Sequence, residues 1–67
     1  MQVKIESRTR PVEDLTARIR EHRADGKTID SFLDACVDTA HELHIVSWYF
    51  RVDNSNGLGW QIVAVFL

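Results

Sequence analysis

The first residues alternate between apolar and polar positions: Met1, Val3 and Ile5 share one face, and Gln2, Lys4 and Glu6 share the other. A period of two predicts a half-buried strand. "RTRP" ends it, and Pro11 suits the first turn of a helix, where its missing N–H is no loss. Glu13 and Asp14 then sit where the positive end of the helix dipole favours acids. This helix is expected to run to about Ala24 and to stop at "DG", with Gly26 as a left-handed C′ residue. Its apolar stripe (Val12, Leu15, Ile19) is narrow, as suits a peripheral helix.

A stronger pattern follows. Thr28 is a good N-cap with Asp30 in the first turn, and Ile29, Phe32, Leu33, Cys36, Val37, Ala40 and Leu43 form a broad core-facing stripe. From Ile45 the period returns to two. "IVSWYFRVD" and "WQIVAVFL" flank "NSNGLG" and read as a β-hairpin whose glycines supply positive φ. The chain thus reads as one α+β domain over residues 1–67, β-α-α-β-β, with two helices packed on one face of a three-stranded, mainly antiparallel sheet. The pattern leaves open whether the first strand joins beside the second or the third.

The last strand is apolar on both sides. Trp60, Ile62, Ala64 and Phe66 point one way, Val63, Val65 and Leu67 the other. Two helices cover one face only, so the second face is either shielded by loops and long side chains or offered to a partner or second copy. Tyr49 and Arg51, opposite Trp48 and Phe50, are residue types enriched at interface hot spots.

Composition narrows the picture. Sixty-seven residues with 45% hydrophobic content make a thin but globular core. The single cysteine, Cys36, excludes an internal disulfide and a multi-cysteine zinc site. No stretch is long and apolar enough to span a bilayer, and the charged, alternating start does not read as a signal peptide. A soluble cytoplasmic protein is the expectation.

Net charge is −2, but unevenly spread. Residues 1–27 hold seven basic and five acidic residues, a balance of +2; residues 28–67 hold one basic and five acidic residues, a balance of −4. Asp30, Asp34, Asp38 and Glu42 recur every fourth position on the second helix. Residues four apart are stacked neighbours, so these carboxylates mark a ridge about 18 Å long that drifts roughly 40° around the helix per step. It is either the solvated back of an amphipathic helix, neutralised in part by Lys27 or the arginines of the first helix, or a docking line for a basic surface.

Catalytic and metal chemistry find little footing. Cys36 lies on the apolar stripe, where a thiol is inert. His41 and His44 with Asp38 lack the i, i+4 histidine pair of a helical zinc site. An Asp34 or Asp38 pair with His41 would need a pocket that shifts pKa values, and a chain this short has little room for one. No phosphate-binding glycine loop joins a strand to a helix. A nucleic-acid site would use Arg8, Arg10, Arg20 and Arg23, but interleaved acids and the negative total charge weigh against it.

The pattern favours a cofactor-free, non-catalytic protein-binding module, inhibitor or regulator. Asp30, Asp34, Asp38, Glu42, Tyr49 and Arg51 would meet a partner with a basic surface. In size and charge it is in the style of small phage and mobile-element products that inhibit nucleic-acid-binding host proteins, anti-CRISPR proteins among them. The alternatives are a small nucleic-acid binder using its arginines and a homo-oligomer, such as a homodimer joined through the hairpin.

Overall fold

The computed structural model describes residues 2–23, 28–54, 57 and 59–67. Expectations that fall on Met1, residues 24–27, Ser55, Asn56 and Leu58, including the Gly26 cap and Lys27 as a neutralising charge, lie outside the described residues. The order is β1 (Gln2–Ser7), α1 (Val12–His22), α2 (Ile29–Glu42), β2 (Trp48–Asp53) and β3 (Gln61–Phe66). No helix among the described residues is long and apolar enough to cross a membrane.

The sheet corrects one expectation. Its order is β1-β3-β2, with β1 parallel and β2 antiparallel to β3, so it is mixed and not mainly antiparallel. The reason lies in how the chain doubles back. Arg10 at the start of α1 reaches the carbonyl of Leu43 at the end of α2, whereas Arg23 lies over Phe32 near the start of α2. The helices are therefore antiparallel, and the chain reverses at each element. Two helices and β2 later, β3 runs in the direction of β1. Being apolar on both faces, β3 takes the centre, where both faces are covered.

One face of the sheet carries the main core. Leu15 and Ile19 of α1, Phe32, Ala35, Cys36 and Ala40 of α2, and Ile62, Ala64 and Phe66 of β3 form a single buried cluster. α1 lies over β1, its Ile19 and Thr16 sharing a cleft with Val3 and Ile5. α2 lies toward β2, its Val37 and Ala40 sharing a groove with Trp48. Trp48 stacks on Phe66 with ring centres 5.5 Å apart.

α2 begins as its sequence dictates. The Thr28 hydroxyl accepts the Ser31 N–H at 3.1 Å, satisfying one orphan donor of the first turn. The helix closes on His44, whose φ of 56° is left-handed. The Ile45 N–H bonds the Ala40 carbonyl at 2.8 Å and the His44 N–H bonds the His41 carbonyl, the paired bonds of a Schellman motif. His44 is thus the C′ residue rather than part of the last helical turn. This reversal keeps residues 45–47 out of the strand, so β2 starts at Trp48 and not at Ile45. In the hairpin, Gly57 and Gly59 do take positive φ.

Candidate interaction surface

The carboxylate line on α2 survives in part. Asp30, Asp34 and Asp38 are exposed and make no ion pair with any described residue. Together they span about 12 Å of helix. Glu42 does not belong with them. One of its carboxylate oxygens pairs with Arg18 and the other with His22 Nε2 at 2.7 Å. Both partners come from α1, and the drift of the ridge explains the difference: Asp30 starts on the β2 side of α2, and three steps of roughly 40° carry Glu42 round to the α1 side. The His22 hydrogen bond, with the Arg18 charge behind it, holds the Glu42 carboxyl below its ordinary pKa.

On the open face of the sheet, Arg51 is also committed within the chain. Its guanidinium donates to both Glu6 oxygens, at 3.2 and 3.4 Å. That bond lowers the Glu6 pKa and raises that of Arg51. In the strand register Arg51 lies beside Val63 and Glu6 beside Val65, so the pair reaches diagonally across β3. Lys4 and Tyr49 complete the cover from the same two flanking strands. Beneath them Val63 and Val65 are 1% and 2% exposed. The second apolar face of β3 is therefore sealed by the chain's own long side chains. Tyr49 remains exposed.

Apolar exposure appears elsewhere, at Val37 and Ile29 against the core-facing stripe expected of them and on β2 as well. Val37 and Ile29 of α2 are partly exposed, and Phe50 and Val52 of β2 are 50% and 55% exposed. Phe50 and Val52 point to the helix side of the sheet, as Trp48 does, but two helices are too narrow to roof three strands and β2 is left outside. A groove runs between α2 and the approach to β2, lined by Val37, Ala40, His41, Ile45, Val46 and Trp48. Val46 in its wall is 99% exposed. The available signal was the narrow apolar stripe of α1, which leaves only α2 to cover the hairpin side.

The arginines do not form one patch. Arg10 donates to the Leu43 carbonyl at 2.9 Å, completing the end of α2. Arg23 is half-buried, with its guanidinium 5.5 Å from the centre of the Phe32 ring. Arg8 and Arg20 remain exposed.

Cys36 is fully buried, and burial pushes its thiol up to about 12, the reverse of what a nucleophile needs. Among the described residues no group of three or more His, Cys, Asp and Glu side chains is placed to hold a metal ion. No protein-family model, curated protein or solved structure matches the chain.

Proposed function

We propose that the chain is a non-catalytic protein-binding module that takes a basic partner along the hairpin side of α2. The observation that carries this reading is the exposure of Val37 and Val46 in the groove, with the exposed carboxylates of Asp34, one turn before Val37, and Asp38, next to it in the chain, on the same helix. An apolar strip bordered by carboxylates suits a partner that brings an apolar side chain flanked by lysine or arginine. Burial would supply the affinity, and charge would speed and orient the encounter. A protein that normally grips nucleic acid has such a cationic surface. An inhibitor that occupies a nuclease groove, of the anti-CRISPR kind, is therefore the role we favour.

The nucleic-acid-binding alternative has less support, because Arg10 and Arg23 serve internal contacts. The test is affinity capture from a bacterial lysate with the tagged chain and with its Asp34→Lys/Asp38→Lys variant. The variant should fold, because both side chains point to solvent, but lose the proteins that the parent retains. Excess oligonucleotide should displace those proteins from the parent. Retention of the same set by the variant would overturn the assignment.

A further inference from the structure

β2 is an edge strand, and both its backbone and its side chains are suited to one further partner. The Leu67 N–H donates to the Ser47 carbonyl at 3.1 Å, which makes Ser47 and Leu67 a hydrogen-bonded pair. In an antiparallel ladder such pairs alternate along the strand. Tyr49, Arg51 and Asp53 therefore direct their N–H and C=O groups to β3, whereas those of Trp48, Phe50 and Val52 point away from the sheet. An exposed edge with apolar side chains is a template for strand pairing.

We infer that β2 pairs antiparallel with β2 of a second copy, about a two-fold axis through Phe50, joining the two sheets into one. The axis stands perpendicular to the sheet, so opposed residues share a face and their numbers sum to an even total. Three registers compete. Centred on Phe50, the outward-pointing residues bond one another: Phe50 meets Phe50, Trp48 meets Val52, and on the other face Tyr49 meets Arg51. Aromatic and aromatic–aliphatic cross-strand pairs such as Phe50 with Phe50 and Trp48 with Val52 are favourable. Centred on Arg51, two arginines would occupy directly opposed positions, a like-charge pairing that is destabilising. Centred on Tyr49, the pairing would run into residues 45–47, which lie outside the strand. The Phe50 register opposes no like charges and leaves only Asp53 facing a residue outside the strand, Ser47.

This dimer goes beyond the basic-partner reading and carries the opposite salt signature. The axis sets both helix layers on the same side, so the two α2 helices approach each other with their carboxylates unpaired. Added salt screens that repulsion and should tighten the dimer, whereas it should weaken docking of a basic partner.

Single-cysteine variants read the register. Opposed residues of a hydrogen-bonded pair have Cα atoms about 5.5 Å apart, within disulfide reach, and the native Cys36 is buried. Under mild oxidation Phe50→Cys should cross-link to a disulfide dimer faster than Tyr49→Cys or Arg51→Cys. Sedimentation of the unmodified chain should show twice the monomer mass as concentration rises, with more dimer at higher salt, and Phe50→Lys should stay monomeric. A parent chain that remains monomeric at hundreds of micromolar, or cross-linking led by position 49 or 51, would overturn the inference. Either result would leave the lysate capture by Asp34 and Asp38 untouched.

Discussion

Thr39 is the one polar residue in the buried set, and its hydroxyl has no hydrogen-bond partner among the described residues. It lies on the flank of α2 that carries Ala35 and Glu42, the flank packed against α1. Replacing it with valine exchanges the hydroxyl for a methyl group of similar size. A buried hydroxyl without a partner costs about 1–3 kcal/mol, and threonine and valine have nearly equal helix propensities. Thr39→Val should therefore stabilise the fold by about 1–2 kcal/mol. In a domain of this size each kcal/mol moves Tm by roughly 4–8 °C, so Tm should rise by about 5–15 °C. Thermal and urea unfolding can be followed by the fluorescence of Trp48, which is half-buried against Phe66. Thr39→Ser is the control. It keeps the hydroxyl and loses the methyl, and should cost about 1 kcal/mol. If Thr39→Val melts at or below the parent temperature with an unchanged urea m-value, the hydroxyl is not a destabilising group and the reasoning fails.

Two further outcomes follow from the helix end and the ion pairs. His44→Gly should raise the urea midpoint, because a left-handed residue other than glycine costs about 1–2 kcal/mol and the greater freedom of glycine in the unfolded chain returns only about 0.5–1 kcal/mol of that gain; a lower midpoint would mean that the imidazole itself holds the turn. Glu6 and Glu42 both have folded-state pKa values below the ordinary glutamate range, so the stability they contribute is present above about pH 4.3 and fades as pH falls through the lowered values. Glu42→Gln should flatten the loss of urea midpoint between about pH 5 and pH 3, and an unchanged pH profile would show that the Arg18 and His22 contacts add nothing.

Much of this fold was legible because single features answered single questions. Thr28 before an apolar stripe marked the start of α2, and the apolar residues on both sides of β3 marked a strand covered twice. The inert setting of Cys36 followed from its place on the stripe. Other features depended on relations between elements that no local pattern encodes. β1 fits beside either hairpin strand by alternation alone, and only the doubling back of the chain makes its pairing with β3 parallel. Ala35 and Thr39 are weakly apolar or polar, yet they are buried because α1 packs against that flank. Val37 falls on the core-facing stripe in sequence, yet it is exposed, as are Phe50 and Val52, because the roof is one helix too narrow. Glu42 belonged to the ridge by spacing, although the drift of that ridge already pointed it toward α1.

The sealed face of the sheet also decides which kind of self-association is compatible with the fold. Stacking two sheets face to face would bury Lys4, Glu6 and Arg51, removing water from an ion pair that is now well solvated on the surface. Desolvating such a pair costs several kcal/mol per ion unless new partners replace the water, and the opposing copy would present the same charges. Exposing Val63 and Val65 to a partner would require that pair to open first. Pairing along β2 asks for neither, since the Glu6–Arg51 pair stays in water while Trp48, Phe50 and Val52 gain the backbone partners that the sheet does not supply. The side chains that close the outer face thus direct association to the edge.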